Sequence, residues 1–392
     1  MKKILILTPR FPYPVVGGDR LRIYEICKEL SKDFELSLLS FCESKEEMEF
    51  ENPKDNVFKS IEKIFLPKWR SYLNCLCALP SNVPLQIAYY KSNEFNDKLE
   101  ELLVKHDLAL AHLIRVGNYL LDKPTPKVLE MTDAISLNYD RVSKLAKLGG
   151  VKNFIFSIEK SRLLSYERNV AKDFDFSSLV SDIDRQFLYK SDPELMEKVL
   201  VCSNGVDVNS FAYNYEPIHN EIVFIGNMTS VQNFDAAKWF ASKVMPLLQD
   251  KADYKFKVIG RISHDKKREL EGYKGVVVTG SVDCITSSAQ GALLGVCPMR
   301  LGAGVQNKIL EYMSLGLPTI SSTLGHEGIM AESGKEILIA DSPQEYVDLI
   351  LKVSTDRDFA MEISKAGRKF VEAHHDWSAM LAPFVKRLKN VI

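Results

Sequence analysis

Between Gly295 and Gly328 the chain reads GVCPMRLGAGVQNKILEYMSLGLPTISSTLGHEG, and no other stretch limits the fold as tightly. The apolar run Gly295-Val-Cys-Pro-Met299 gives way to the glycine-rich turn Arg300-Leu-Gly-Ala-Gly304, which predicts a buried strand feeding a loop. From Val305 the spacing becomes helical. Gly316 is placed to end that helix and Pro318 to stop it, before Leu317-Pro-Thr-Ile-Ser321 resumes as a strand.

A strand, glycine loop, helix and strand in this order suit an anion. The first helical turn carries unpaired N–H groups and the positive end of the macrodipole, and glycines let a ligand approach the backbone. Gly304, Lys308 and Glu311 fall at i, i+4 and i+7 on one face. There Lys308 can set a point charge beside a diphosphate, and Glu311 can accept hydrogen bonds from sugar hydroxyls. The same spacing fits a surface pair at i, i+3 that steadies the helix by about 0.2–0.5 kcal/mol. Both readings stand on the spacing alone.

The pattern Pro298-Met-Arg-x-Gly-x-Gly-x-x-x-Lys308-x-x-Glu311-x-Met-x-x-Gly-x-Pro318 resembles the donor-binding signature of the retaining glycosyltransferases of family four. The resemblance implies the GT-B fold, an α/β architecture of two facing Rossmann-like doubly wound domains with a cleft between them. It implies that Glu311 binds the ribose of a nucleotide sugar, with Arg300, Gly302, Ala303, Gly304, Val305 and Gln306 along the donor and Lys308 acting in catalysis. Family members usually carry a second glutamate where this chain has Ala303, which bears on how the transferred sugar is held. Many also carry an Arg and a Lys after the first strand's glycine in this half. Here the segment is Asn227-Met-Thr-Ser-Val-Gln-Asn233, so Asn227 lies in that place and positive charge is expected from Arg261, Arg300 and Lys308. His326-Glu327-Gly328 resembles the family's EG turn near the nucleotide.

The opening of the chain supports the same fold. Lys3 to Thr8, Leu21 to Leu30 and Phe34 to Phe41 read as strand, helix and strand, a unit that favours a parallel sheet. Pro9-Arg-Phe-Pro-Tyr-Pro14 and the Gly17-Gly18 turn resemble the first loop of a bacterial polysaccharide-associated group of this fold, which places Gly17 and Gly18 beside the donor phosphates. Asp19, Arg20 and Arg22 fit either ligand contact or the capping and solvation of a helix. The strand Lys127 to Met131 ends in Thr132-Asp133-Ala134-Ile135-Ser136, and open α/β sheets bind ligands at such strand ends. Asp133 is therefore a candidate for acceptor contact or proton handling, with N-capping of the next helix as the alternative. Asn204-Gly-Val-Asp207 followed by Phe211 resembles the segment that closes the first domain. The expected division is an acceptor domain over 1–212, a donor domain over 213–374 opening on a linker from Tyr213 to Asn220, and a helix over 375–392 crossing back to the first.

Length and composition agree with two domains, since 392 residues with 46% hydrophobic content can fill two cores. A net charge of −1 gives no electrostatic reason to expect nucleic acid. The seven scattered cysteines read as reduced residues of a cytoplasmic protein. The apolar run after Met1-Lys-Lys is too short for a signal peptide, and no run approaches the roughly 18 residues of a membrane span, so any membrane contact is expected to be peripheral. The basic, partly apolar stretch Arg141 to Arg168 fits a membrane surface or a solvated helix with its apolar side inward. Trp69 to Tyr90 fits an acceptor-facing surface or packing beneath a long loop. The acidic pairs Asp173-x-Asp175 and Asp182-x-Asp184 imitate metal-binding motifs, but no metal is expected.

The resemblance implies transfer with retention from a nucleotide-diphosphate sugar, a co-substrate needing no cofactor, to a hydroxyl of a glycan or lipid-linked glycan. The setting would be cell-envelope polysaccharide or glycolipid assembly, at the inner face of the membrane. The alternatives are a nucleotide-sugar epimerase of the same fold and a non-catalytic nucleotide-sugar binding protein, which Ala303 and the absent basic pair would favour.

Overall fold

The computed structural model describes residues 1–145, 150–218, 220–302 and 304–392, apart from the side chains of 144, 145 and 150–155. Two compact units emerge: Met1–Ser203 together with Leu381–Ile392, and Asn204–Met380.

The first unit is built on β1 (Lys3–Thr8), β2 (Glu35–Cys42), β3 (Ser60–Phe65), β4 (Leu108–His112), β5 (Lys127–Thr132), β6 (Phe176–Leu179) and β7 (Val199–Val201). They form one sheet in the order β3-β2-β1-β4-β5-β6-β7, with parallel pairings throughout. The second unit carries β8 (Glu221–Ile225), β9 (Lys255–Ile259), β10 (Val276–Gly280), β11 (Leu294–Cys297), β12 (Thr319–Ser321) and β13 (Leu338–Ile339), ordered β10-β9-β8-β11-β12-β13 and again parallel. Both sheets therefore reverse their winding once, between β1 and β4 and between β8 and β11. In open α/β sheets that reversal is where chain crossovers part and leave room for a ligand. Continuous apolar runs such as Ile4–Leu7, fully buried on both faces, are what helices on both sides of a parallel sheet demand.

A charge cluster fixes the carboxyl edge of the first sheet. Arg22, on the helix Gly18–Leu30, has no exposed surface. Its Nε donates to Glu130 Oε1 at 2.7 Å, and its Nη2 donates to the Cys202 carbonyl at 2.9 Å. The other carboxylate oxygen meets His112 Nδ1 at 2.6 Å and accepts from Thr132 Oγ1 at 2.9 Å. Burial alone would raise the Glu130 carboxyl, but Arg22 and His112 outweigh it and hold it down at about 2. Arg22 is thus a structural residue and not a ligand contact.

Several boundaries differ from the sequence expectation. The units divide after Ser203, not after residue 212, because residues 204–211 pack on the second unit: Val206 N donates to the His375 carbonyl at 2.7 Å, and Arg368 donates to the carbonyls of Phe211 and Val208. Tyr213 to Asn220 is a strap rather than a linker, with Tyr215 Oη donating to the Leu293 carbonyl at 3.1 Å and the Tyr213 ring against Gly316. The end of the helix Trp377–Lys389 lies in the first unit, where Phe384 packs on Phe176 and Lys389 pairs with Asp33. Strand β3 carries no sequence signal because it is an edge strand, half exposed and mixed in polarity. Of the basic stretch 141–168, Lys147 and Leu148 lie outside the described residues; farther along, Leu163 is buried and Lys160 pairs with Asp140, so the inward-packing reading fits there. Asp175 accepts from Lys127 N and Asp182 binds Arg185, which accounts for both acidic motifs structurally.

Replacing Arg22 by Met leaves Glu130 charged and buried without its counter-ion, so urea unfolding should show a loss of about 3–5 kcal/mol. The ordinary carboxylate value near 4.5 applies in the unfolded chain and about 2 in the folded one. The contribution of Glu130 is therefore complete above pH 4.5 and lost as pH falls toward 2, and Glu130→Gln should flatten that acid limb of the stability curve.

Candidate active site

The reversal of the second sheet joins the loops after β8 and β11. Gly226 and Gly260, at the ends of β8 and β9, touch so closely that a Cβ on Gly260, with φ 134°, would lie 2.0 Å from the Gly226 carbonyl oxygen. Asn227 Oδ1 accepts from Thr229 N at 3.0 Å and from Thr229 Oγ1 at 2.7 Å, a local turn that sets Ser230 as the cap of the helix Val231–Trp239. Asn233, in the first turn of that helix, donates from Nδ2 to the Asn227 carbonyl at 3.1 Å. Its Oδ1 faces the second loop.

That second loop leads into the helix Asn307–Leu315, which begins two residues later than the sequence suggested. The delay is conformational: Gly302 and Gly304 have φ 137° and 70°, and Gln306 is extended, so the chain turns into the helix only at Asn307. Ala303 lies outside the described residues. Gly316 ends the helix in the left-handed region, as expected. Val305 is buried, and Asn307 Oδ1 accepts from Asn204 Nδ2 at 2.7 Å.

Lys308 is only 8% exposed. Its ammonium donates to Gln306 Oε1 at 3.0 Å and Asn233 Oδ1 at 3.1 Å, lies 3.9 Å from Met299 Sδ, and sits 5.5 Å from the Phe224 ring centroid. Each of these neighbours is neutral. Among the described residues no carboxylate forms a salt bridge with it, so the surface-pair reading with Glu311 does not hold. Glu311 is half-buried, and its side chain has no hydrogen-bond partner among the described residues. Burial raises its carboxyl, with the Lys308 charge opposing.

The other expected cations divide. Arg300 is held bidentately by Asp235, with Nε to Oδ2 at 3.1 Å and Nη2 to Oδ1 at 2.7 Å, so its charge is already compensated. Arg261 is exposed; among the described residues only its backbone is engaged, the carbonyl accepting from Met228 N at 2.8 Å. After β12, Ser322 Oγ donates to the Met299 carbonyl at 2.6 Å and ties the third loop of this edge to the second. His326 Nε2 is bonded to the Ala331 carbonyl at 2.9 Å.

In the first unit Gly17, with φ 99°, and Gly18 are exposed at the head of the helix Gly18–Leu30. Asp133 follows Thr132, whose φ of 66° strains a β-branched residue, and it does not cap the next helix. Ala134 N donates to Asp184 Oδ1 at 3.0 Å, while Ile135 N and Ser136 N donate to the two oxygens of Glu167 at 2.7 and 3.1 Å. Burial first, and then the charge of Asp184, push the Asp133 carboxyl up to about 7, with Arg115 opposing. Burial likewise lifts Glu167 to about 8. Sequence reasoning missed Asn233, Asp184 and Glu167. Asn233 stood three residues after a capping serine, which was its one local signal; the two acids become neighbours of Asp133 only through the fold.

Asp133 is raised from 3.8 to about 7 on folding, so it favours the folded state while protonated and withdraws that support as pH rises through this window. Asp133→Asn should therefore gain melting temperature over the wild type progressively between pH 4 and 7. A difference that does not change with pH would refute the assignment.

Among the described residues, no helix is long and apolar enough to cross a membrane, and no group of three His, Cys, Asp or Glu side chains is arranged around a metal. Residues 219–356, most of the second unit, match the family described as glycosyl transferases group 1. A protein of Klebsiella pneumoniae, an uncharacterized 44.6 kDa protein in the cps region, is 22% identical over 98% of this chain and 100% of its own length. The fold is similar to that of sucrose-phosphate synthase from Thermosynechococcus elongatus, with TM-score 0.74 and 12% identity over 100% of this chain and 99% of that one. It is also similar to HepE of Anabaena in complex with UDP and glucose, with TM-score 0.70 and 14% identity over the whole of both chains. The glycine loop and the two parallel sheets, with these full-length structural likenesses, give the chain the GT-B fold, and its second unit matches the family of group 1 glycosyl transferases over residues 219–356.

Proposed function

We propose that this chain transfers a sugar, with retention, from a nucleoside-diphosphate sugar to a hydroxyl of a glycan or lipid-linked glycan. The observation that carries the reading is the Lys308 ammonium, buried with only neutral hydrogen-bond partners and in no salt bridge among the described residues. A buried cation in that condition is costly, and a diphosphate arriving at the helix start would supply the missing charge. The N–H groups at Asn307 and Lys308 add the positive end of the macrodipole. Glu311, one turn on and without a donor of its own, is the acceptor for ribose hydroxyls.

In the transfer, the bond from the anomeric carbon to the diphosphate oxygen breaks and the acceptor oxygen bonds to that carbon on the same face. The acceptor's proton passes to the departing diphosphate. Charge grows on the leaving oxygen, where Lys308 and the helix amides are already in place, which is the condition for lowering the barrier. Arg261, exposed and with its guanidinium uncommitted, is a second cation for the diphosphate. Asp133, titrating near neutrality, is assigned to acceptor contact, with the first unit as acceptor domain and the second as donor domain. The reaction draws on the nucleotide sugar as co-substrate and on no other cofactor.

HepE was crystallised with UDP and with UDP-glucose, which supports a uridine nucleotide as the donor class, and the cps-region relative supports polysaccharide assembly as the setting. The protein is then a cytoplasmic one that meets the membrane peripherally.

Two measurements test this. A melting series with UDP, GDP, ADP and TDP should show one diphosphate stabilising strongly, since ligand at about 100 times its dissociation constant adds roughly 2.7 kcal/mol. Glu311→Ala should weaken that nucleotide by about 1.5–3 kcal/mol, the worth of hydrogen bonds to a charged group, while leaving the unliganded melting temperature nearly unchanged. Lys308→Ala should lower acceptor-dependent release of the nucleoside diphosphate far more than it lowers stability. If no diphosphate raises the melting temperature, the donor site is misassigned; release that needs no acceptor would mean hydrolysis, not transfer.

A further inference from the structure

The helix Lys68–Ala78 keeps one side on the protein and leaves the other bare. On the inner side Ser71 is buried, Asn74 Nδ2 donates to the Lys91 carbonyl at 2.9 Å, and Cys75 Sγ approaches the Leu85 carbonyl at 3.5 Å. On the outer side Trp69, Tyr72, Leu73 and Leu76 fall at i, i+3, i+4 and i+7, and Leu79 and Val83 extend the row. All six are between 43% and 68% exposed. Of the segment Trp69 to Tyr90, Ile87, Ala88 and Tyr90 are buried, so packing holds there, but the helix Lys68–Ala78 lies on the surface with its apolar stripe outward. A contiguous patch of this kind on a protein in water is ordinarily covered by something.

The charges around it say what. From Leu66 to Asn93 the chain has Lys68, Arg70 and Lys91 and not one acid, although the protein as a whole carries a net charge of −1. Arg162, on the helix Gly150–Val170, joins them by donating to the Leu79 carbonyl at 2.7 Å. Apolar side chains with Trp and Tyr among them, in a segment whose only charged residues are bases, match the chemistry of an anionic bilayer interface. Acyl chains meet the leucines, the headgroup layer takes the aromatic rings, and phosphates face the bases.

We propose that this helix face docks the protein on an anionic membrane surface. The inference deepens the peripheral attachment proposed above, and rests on it only for which membrane is met, because vesicle binding needs neither donor nor acceptor.

The test is co-sedimentation of the full chain with phosphatidylcholine vesicles that contain or lack phosphatidylglycerol. Wild type should pellet with the anionic vesicles, less at high salt, and remain in solution with the neutral ones. Leu73→Glu/Leu76→Glu should weaken binding by about tenfold or more with an unchanged melting temperature, since both side chains are exposed; Lys68→Glu/Arg70→Glu should abolish the preference for anionic lipid. Three results overturn the proposal: wild type that ignores anionic vesicles, a Leu73→Glu/Leu76→Glu protein that binds as well as wild type, or a wild-type dimer that the same variant splits while neither form binds lipid. The last would mean that a second copy covers the stripe. Nucleotide-induced stabilisation measured in parallel reports on the donor site separately, so either reading can fail without the other.

Discussion

A guanidinium shut away from water has to bring its counter-ion with it, and in this chain that requirement organises the first sheet. Arg22 sits on the first helix, Glu130 on β5, His112 on β4 and the accepting carbonyl of Cys202 just past β7, so one ion pair draws four separate elements to a common edge. The carboxylate is held further by Thr132, whose N and Oγ1 both donate to it and whose backbone is bent into the left-handed region where it does so. That bend sets Asp133 just beyond the strand end.

The two sheets handle charge in opposite ways at corresponding places in their topology. At the edge of the first, cation and anion are matched and buried together. At the reversal of the second, Lys308 is buried among an amide oxygen from its own loop, another from the helix after β8, and a thioether, while Arg300 close by has been neutralised by Asp235. A closed ion pair makes a scaffold, whereas Lys308 and Glu311 form no salt bridge among the described residues, the arrangement on which the proposed donor site rests. This contrast, more than the glycine pattern, is why the second edge reads as the seat of the donor.

Much of this could be read from the chain before its structure. Parallel strands buried on both faces announce themselves as unbroken apolar runs, and Gly316 and Pro318 punctuate the helix Asn307–Leu315 by their own backbone preferences. What stayed hidden depended on distance in sequence. Spacing alone could not separate a surface pair from a buried Lys308, because the side chain that decides it, Asn233, is 75 residues away. Asp133 looked like a helix cap until Asp184 and Glu167, from two other helices, took the amides it would have served. The bare helix at Lys68–Ala78 was ambiguous because an apolar stripe carries the same pattern whether it faces in or out. The edge strand β3 and the strap from Tyr213 failed for the related reason that neither is apolar enough to declare its partner.

The contact between Gly226 and Gly260 limits how the proposed donor site could be reshaped. With a Cβ excluded at Gly260 by a carbonyl 2.0 Å away, the floor shared by β8 and β9 is bare backbone and has no side chain to exchange. On the proposed donor seating, diversity introduced by combinatorial libraries would have to enter at Asn227, Arg261 and the residues flanking Gln306, while the backbone at Gly226 and Gly260 keeps its contour.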